Sequence, residues 1–282
     1  MKNILLRASI VLSLSAGANA ALVTYDPFLV GSNPGAGEYT ATQITGQGPT
    51  LLGYTGNWIN GTPLGVVTST GLSYPGLLTS GGALLGNSGG SREGRLLSTP
   101  FTATTSGTFY LSVLINLSVS SGGNYKAFEL HNGGFTDATQ RILQIGEGGT
   151  GTDFNGTTNF GLRLFSNDSF RINLGPADTS TNLFVVRFDL STTNNADVVT
   201  VYRNPSLSSE PAVPAGTLTN FNLAFDRTSV ANFQANGDTI TVDEIRIGDT
   251  YASVLPAPAP EPATAALLLL GAAATLFRRR RV

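Results

Sequence analysis

The sequence predicts an all-β domain between residues 21 and 255. Helical periodicity is nearly absent from this stretch, whereas short runs of alternating apolar and polar residues recur between clusters of Gly, Asn, Asp and Ser. A stretch of about 235 residues is within the range of one large β domain, and no charge-rich or low-complexity linker divides it. We therefore expect a single domain.

The strands are clearest in the second half of the domain. Each predicted strand is a run of alternating or continuous apolar residues, and residues that favour turns separate one run from the next. The predicted strands are 107–119, 126–131, 141–145, 160–166, 170–174, 183–190, 198–203, 218–226 and 239–247.

The last of these strands changes its apolar parity midway. Ile240 and Val242 share one parity, whereas Ile245 and Ile247 share the other. Because strict alternation would place the two pairs on opposite faces, we predict a β-bulge at Asp243 and Glu244. Such a bulge would turn one of the two carboxylates outward.

The segment from residue 31 to residue 95 has the least regular pattern. It is rich in Gly, Ser, Thr and Pro, yet it contains Tyr54, Trp58 and Leu-Leu pairs that begin at residues 77 and 84, with a third pair beginning at 96. Disordered chains lack residues of this kind. We therefore expect strands and long loops that contribute apolar side chains to the core.

Composition excludes several classes of chemistry. The chain has no cysteine, which excludes disulfides, thiolate catalysis and zinc-thiolate sites. Residues 21–259 carry ten cations against seventeen carboxylates, a net charge of −7, and no basic stripe. Binding to nucleic acid is therefore disfavoured. A surface rich in Ser, Thr, Asn and Gly suits a secreted β protein and a hydrated polysaccharide environment.

The N-terminal end has the order of parts found in a secretory signal peptide. Lys2 and Arg7 form a basic start, residues 8–15 are mostly apolar, and Ala18 and Ala20 form a small-x-small cleavage site. We predict that residues 1–20 are a signal peptide removed by signal peptidase, so that the mature chain begins near Ala21.

The C-terminal end also has a targeting pattern. A Pro/Ala linker over residues 256–262 ends with Pro260, Glu261 and Pro262, and an apolar run follows over residues 263–277. Fifteen residues are fewer than the ~20 that comfortably span a hydrocarbon core, but arginine stems at the helix end can snorkel to the interface. We therefore predict one short transmembrane helix over 263–277.

A basic tail over residues 278–282 sets the expected topology. By the positive-inside bias, the tail should stay in the cytoplasm and the domain should lie on the far side of the membrane. The residues that fix this orientation are Arg278, Arg279, Arg280 and Arg281.

Pro260, Glu261 and Pro262, the apolar run and the arginine cluster together resemble the PEP-CTERM sorting signal of Gram-negative bacteria that make extracellular polysaccharide. The resemblance implies recognition by an exosortase, a membrane-embedded transpeptidase-like protease thought to cut near Pro-Glu-Pro. The protein would cross the inner membrane, stay anchored until processed, and then reach the cell surface or extracellular matrix. The alternative is an ordinary tail anchor that is not cleaved.

Two further patches carry a second resemblance. The run over residues 242–254 is similar to the closing strand of concanavalin-like, laminin-G-like domains, and residues 54–58 resemble the start of that type. The resemblance implies a two-sheet antiparallel jelly-roll sandwich.

Catalytic residues are sparse in this sequence. A glucanase of this class would need two carboxylates on one strand face, yet no Glu-x-Asp-x-Glu pattern occurs. A polysaccharide lyase would need a base such as His or Tyr beside groups that neutralise a uronate. The best constellation is His131, which shares strand parity with Glu129 and lies near Lys126.

Loop carboxylates and aromatic residues are candidates for binding. Calcium takes six to eight oxygen ligands, and the loop aspartates that could supply some of them are Asp153, Asp168, Asp238 and Asp249. No Dx[DN]xDG loop occurs, so each also fits an ordinary turn residue. Aromatic residues that could stack on a sugar, or pack in the core, are Trp58, Tyr74, Tyr125 and Phe135.

Together these observations predict an exported, non-enzymatic surface or matrix protein whose sandwich binds carbohydrate or has a structural role. The alternative is a carbohydrate-active enzyme on the same sandwich, either a polysaccharide lyase or a glucanase.

Overall fold

The structure is a computed structural model that describes residues 21–33, 37–62, 65–118, 125–134, 138–148, 159–165, 169–233 and 237–256. These residues form fifteen strands, one 3-10 turn at Ala138–Gln140 and one short helix, α1, at Tyr251–Val254. The strands are β1 Leu22–Asp26, β2 Tyr54–Thr62, β3 Gly65–Thr68, β4 Ala83–Gly86, β5 Ser91–Phe101, β6 Gly107–Leu117, β7 Lys126–His131, β8 Arg141–Glu147, β9 Asn159–Leu164, β10 Arg171–Pro176, β11 Asn182–Leu190, β12 Asp197–Arg203, β13 Gly216–Phe221, β14 Phe225–Asn232 and β15 Ile240–Gly248.

The strands form two sheets, and every pairing between named strands is antiparallel. The first sheet has the order β13-β12-β11-β6-β15-β4-β3, with β1 also paired to β15. The second sheet has the order β10-β9-β8-β7-β14-β5-β2. The predicted all-β, two-sheet antiparallel sandwich is confirmed.

The core lies between the sheets and takes alternate residues from each strand. In β7, Phe128 and Leu130 point into it, and in β11 Phe184 and Val186 do the same. Trp58 is fully buried in this core, and its indole N–H donates to the Tyr39 hydroxyl at 2.9 Å. The residues between these core positions lie on the outer faces of the sheets.

The predicted strand over 218–226 is wrong. The chain there forms the end of β13 and the start of β14, which belong to different sheets. Phe221, Leu223 and Phe225 are all buried in the core while the chain crosses from one sheet to the other. Apolar and polar residues therefore keep alternating where the chain passes between the sheets, so the sequence pattern does not show that β13 ends there and β14 begins.

The predicted bulge in β15 is confirmed. The register between β15 and β6 shifts between Asp243 and Arg246, and Glu244 has a φ of 55°. The expected outward turn of one carboxylate is wrong, because Asp243 and Glu244 are both buried. A loop over residues 69–82 covers them, and backbone N–H groups of Leu72 and Ser80 donate to the two carboxyl groups.

The segment from residue 31 to residue 95 contributes to the core as predicted. It contains β2, β3, β4 and the start of β5. In each Leu-Leu pair one member is buried and its neighbour is more exposed; the buried members are Leu77, Leu84 and Leu97.

The two targeting segments lie largely outside the described residues. Residues 1–20, with Ala18 and Ala20, and residues 257–282, with Pro260, Glu261, Pro262 and the four arginines, therefore stay sequence predictions. Among the residues that the structure does describe, no helix combines the length and the apolar character needed to cross a bilayer. The described chain ends at Pro256, just after α1.

Candidate functional site

The outer face of the second sheet carries a cluster of polar and charged side chains centred on Glu129. Because Phe128 and Leu130 point into the core, Glu129 and His131 lie on the opposite face of β7. The neighbouring strands β14 and β8 place Ser229 and Gln144 directly opposite Glu129. The polar members of this face thus come from three neighbouring strands, of which β14 is distant from the other two in sequence.

Both carboxylate oxygens of Glu129 are engaged. Oε2 lies 2.8 Å from Arg92 Nε and 2.9 Å from His131 Nε2, and it accepts from Ser229 Oγ at 3.3 Å. Oε1 lies 3.1 Å from Arg141 Nε and accepts from Gln144 Nε2 at 3.1 Å. Two guanidinium groups therefore share one carboxylate, and we call these residues with Tyr125 the Glu129 cluster.

Two aromatic rings pack on the arginines of the Glu129 cluster. The Arg141 guanidinium lies 4.8 Å from the centre of the Tyr125 ring, and that of Arg92 lies 4.9 Å from the centre of the Phe233 ring. The two rings are 5.1 Å apart, and Arg92 donates to the Tyr125 hydroxyl. Arginine and ring are attracted in such pairs, and here the rings help to bury the guanidinium groups.

The charge of Glu129 is stabilised although its side chain is 0% exposed. Burial opposes ionisation, but the hydrogen bond from His131 and the charges of Arg92 and Arg141 outweigh it and lower the pKa of Glu129 to about 2. Burial and the nearby Glu129 charge raise the pKa of the Tyr125 hydroxyl above its ordinary value. At neutral pH the cluster holds an ionised carboxylate and a protonated phenol.

The Glu129 cluster combines cationic donors with an amide acceptor. Guanidinium groups match carboxylates and sulfates in bidentate geometry. Gln144 Oε1, an acceptor, is buried and makes no hydrogen bond within the described residues.

The structure brings together three of the residues singled out from the sequence, namely Glu129, His131 and Tyr125. Lys126 does not join them, because its ammonium group pairs with Glu147 at 2.9 Å. The sequence analysis missed Arg92, Arg141 and Gln144. A single polar residue between two core residues, as in Leu143-Gln144-Ile145, is the signal that could have found Gln144.

The other sugar-stacking candidates lie elsewhere. Trp58 is inside the core, and Tyr74 is half-buried on the outer face of the first sheet, where it packs against the cluster around Tyr251. Phe135 lies outside the described residues.

The loop aspartates do not converge in the part of the chain that the structure describes. Asp238 lies 3.7 Å from Lys126 Nζ, and Asp249 accepts the backbone N–H of Ala21 at 2.8 Å. Asp153 and Asp168 lie outside the described residues. Within those residues, no group of three or more His, Asp or Glu side chains is arranged to hold a metal ion.

A second buried polar cluster surrounds the bulge of the first sheet. Glu244 Oε2 accepts from the Tyr25 hydroxyl at 2.8 Å and lies 2.5 Å from Arg246 Nη2, which also donates to the Leu78 carbonyl at 2.6 Å. Asp243 accepts the N–H groups of Leu72 and Glu244 at 2.8 and 2.7 Å. We call this set the bulge cluster.

Two carboxyl groups, Asp243 in the bulge cluster and Asp26 beside it, have raised pKa values. Burial, helped by the negative charge of Glu244, raises the pKa of Asp243 to about 9. Burial also raises the pKa of nearby Asp26 to about 6, although the Tyr39 hydroxyl donates to it at 2.7 Å. Burial and Glu244 raise the pKa of Tyr25 to about 12.

No family model and no curated protein matches this chain. Among solved structures, a carbohydrate esterase, vb_24B_21 from Shiga toxin-encoding bacteriophage phi24B, is 12% identical over 68% of this chain and 89% of its own, with a TM-score of 0.44. The exoplasmic/lumenal domain of VIP36 in its Ca²⁺/Man3GlcNAc-bound form is 8% identical over 67% of this chain and 85% of its own, with a TM-score of 0.41.

A botulinum neurotoxin type C structure is 12% identical over 74% of this chain, with a TM-score of 0.43. The chain spans about half the length of the neurotoxin chains that it matches, 47% in this case. At these identities and TM-scores, the likeness carries no inference about ligand or activity.

Proposed function

We propose that this chain is an exported surface or matrix protein of a Gram-negative bacterium that binds an acidic polysaccharide through the Glu129 cluster. Signal peptidase would release the N-terminus, and an exosortase would cut the C-terminal segment after the domain has crossed the inner membrane. We further propose that the sandwich is a jelly roll of the concanavalin-like type, as the sequence patches over residues 54–58 and 242–254 suggest.

Support for the sorting half comes from the sequence. Pro260, Glu261 and Pro262 precede an apolar run, and Arg278 to Arg281 follow it, in the order that a sorting signal requires. The last described strand, β15, ends at Gly248, so a cut near Pro-Glu-Pro would remove none of the described strands.

The sorting half is tested by the intact mass and cell fraction of the protein from its native host, with and without the exosortase. The expected mature form begins near Ala21, lacks residues 263–282 and reaches the matrix only when exosortase is present. Retention of the full tail in the membrane in both strains would show a tail-anchored protein instead.

The binding half is carried by one observation: two guanidinium groups share the Glu129 carboxylate on the outer face of a sheet. Guanidinium groups donate to carboxylates and sulfates in charge-assisted, bidentate geometry, so Arg92 and Arg141 would bind an incoming carboxylate or sulfate, and Gln144 Oε1 would accept from a neighbouring hydroxyl. A polyanionic glycan presents both groups along its length.

The binding half is tested by affinity electrophoresis and calorimetry with polygalacturonate and, as an uncharged comparison, dextran. We expect binding to polygalacturonate that weakens as salt is added, and about a tenfold weaker affinity in Arg141→Gln, which loses a charge-assisted contact. The matched control is Arg187→Gln, whose half-exposed side chain lies on β11 in the first sheet.

Near-ultraviolet circular dichroism would establish that both variants keep the native fold. Absence of binding to every acidic polysaccharide would overturn the binding half, and equal binding to dextran would overturn the role of charge.

A second candidate function is lyase activity, favoured by the 2.9 Å contact between His131 Nε2 and Glu129 beside two arginines. In such a β-elimination, a base removes the proton on the carbon next to the uronate carboxylate. The bond to the neighbouring sugar oxygen then breaks as a carbon–carbon double bond forms, and that oxygen takes up a proton.

His131 would be the base, since the raised pKa of Tyr125 opposes loss of the phenolic proton. Ultraviolet absorbance of the unsaturated uronate product tests this candidate. Product that disappears in His131→Ala supports a lyase, and binding without product leaves the protein a non-enzymatic binder. A glucanase is less well supported, because the described contacts of Glu129 include no second carboxylate.

A further inference from the structure

Ala21 and Asp249 join the two ends of the described domain. The backbone N–H of Ala21 donates to Asp249 Oδ1 at 2.8 Å, and the backbone N–H of Asp249 donates back to the Ala21 carbonyl at 3.1 Å. Ala21 directly precedes β1, and Asp249 directly follows β15. The reciprocal pair thus closes the outer end of the β1–β15 pairing.

We propose that removal of the signal peptide turns this hydrogen bond into an ion pair between the new Ala21 α-ammonium group and the Asp249 carboxylate. The proposal rests on the export route proposed above, in which cleavage occurs after Ala20. In the uncleaved chain the Ala21 nitrogen belongs to a neutral peptide group. Cleavage makes the same atom a cation, so the ion pair exists only in the processed protein.

The geometry requires no backbone movement for this change. The nitrogen is already at hydrogen-bond distance from Asp249 Oδ1, and an α-ammonium group keeps a proton for that bond while gaining charge. Charge-assisted hydrogen bonds are roughly twice as strong as neutral ones. Other groups near this end, Gly248 and Ser253, are uncharged, so among the described contacts Asp249 supplies the negative charge.

The ion pair would act on the part of the domain from which the C-terminal segment leaves. Asp249 precedes Thr250, whose side chain caps the N-terminus of α1 and accepts from the Ser253 N–H. The helix ends at Val254, its C-cap is Leu255, and Pro256 follows directly. Removal of the signal peptide would therefore stabilise the residues around α1, which directly precede the segment that the sorting enzyme is proposed to cut.

The pKa of the Ala21 α-amino group tests the proposal. It can be measured on the full chain starting at Ala21, from the pH dependence of competitive acylation read by mass spectrometry. An α-amino group ordinarily has a pKa of about 7.7–8.0. We expect that of Ala21 to lie higher by about 0.3–0.7 units, as an exposed ion pair allows, and to return to the ordinary range in Asp249→Asn.

A chain with one glycine added before Ala21 is the control, because its α-amino group is displaced from Asp249 and should titrate normally. Equal values in the native and Asp249→Asn chains would overturn the ion pair. A host-purified protein that begins elsewhere than at Ala21 would overturn the proposed cleavage, whereas the titration of the chain starting at Ala21 would still decide whether the ion pair forms.

Discussion

Glu129 and Asp243 are carboxyl groups buried in different sheets, and their pKa values are shifted in opposite directions. Glu129 meets two guanidinium groups and His131, which lower its pKa to about 2. Asp243 meets backbone N–H groups and lies near Glu244 and Asp26, so burial and like charge raise its pKa to about 9. Burial is similar at the two sites, and the neighbouring charges decide the protonation state.

The opposite pKa shifts of Glu129 and Asp243 correspond to two different structural roles of a buried carboxyl group. In the Glu129 cluster an ionised carboxylate holds two arginine side chains on the outer face of a sheet. In the bulge cluster a protonated carboxyl group satisfies backbone donors where the strand register shifts. Four variants or conditions test this contrast.

The largest effect is expected for Glu129→Gln. The substitution keeps the shape but removes the charge that two buried guanidinium groups share, and breaking a buried pair in this way costs about 3–5 kcal/mol. Urea denaturation at neutral pH measures the loss of unfolding free energy. The matched control is Asp178→Asn, whose carboxylate is 46% exposed and pairs with Arg203, with an expected cost of at most about 1 kcal/mol. If Glu129→Gln and Asp178→Asn lowered the unfolding free energy by similar amounts, the buried charge of Glu129 would not have the stabilising role given to it here.

The next largest effect is expected for the change of unfolding free energy with pH that Asp243 causes. A pKa raised in the folded state means that folding favours the protonated form, so the stabilisation is complete below the unfolded pKa and is lost as pH rises towards about 9. Each such group changes the free energy of unfolding by at most about 1.4 kcal/mol per pH unit. We expect native stability to fall between about pH 6.5 and 9, and this decline to disappear in Asp243→Asn.

Asp26→Asn is the control for this window, because the pKa of Asp26 is raised only to about 6. It should keep the decline above about pH 6.5. A decline that persists unchanged in Asp243→Asn would show that Asp243 does not cause it and would contradict the raised pKa of Asp243.

Glu129 should stabilise the fold at neutral pH and lose this contribution in acid, which is the opposite of the pH dependence expected for Asp243. Its pKa is lowered in the folded state, so its stabilisation is complete above the unfolded pKa and is lost as pH falls from about 4.5 towards about 2. We expect the native chain to lose about 1–3 kcal/mol more over this interval than Glu129→Gln does. Parallel acid-unfolding curves would refute the assignment of an ionised Glu129.

The smallest effect is expected for Tyr25→Phe in the bulge cluster. The change removes the hydroxyl that donates to Glu244 at 2.8 Å and leaves the contact with Arg246 in place. Loss of one hydrogen bond of this kind costs about 1–2 kcal/mol. Thermal unfolding measures it, and a cost as large as that of Glu129→Gln would mean that Arg246 alone cannot hold the Glu244 charge.

Local alternation predicted much of the fold but only part of the Glu129 cluster. The strand over 126–131 and the bulge at Asp243 and Glu244 follow from residues that are adjacent in sequence. His131 and Glu129 could be paired because they share a strand. Arg92 and Arg141 reach Glu129 from β5 and β8, and that proximity depends on strand order, which alternation does not specify.

Alternation also does not show which distant segments meet, and this explains the two wrong predictions, the outward carboxylate at the bulge and the strand over 218–226. The burial of both bulge carboxylates depends on a loop more than 160 residues earlier in the chain, as the contact between Leu72 and Asp243 shows. The change of sheet after Phe221 is hidden because Leu223 and Phe225 continue the apolar alternation into the same core.

Helix α1 lies on the outer face of the first sheet, where Ser112 Oγ donates to the Val254 carbonyl at 2.7 Å and Tyr251 packs against Tyr110. The Glu129 cluster lies on the outer face of the other sheet, across the core. The described chain therefore leads towards the C-terminal segment from the face opposite the Glu129 cluster, and an anchor formed by that segment, as proposed above, would be attached on the side away from the cluster. We expect a chain anchored in this way to engage polysaccharide before release, so that capture and cutting can occur in either order.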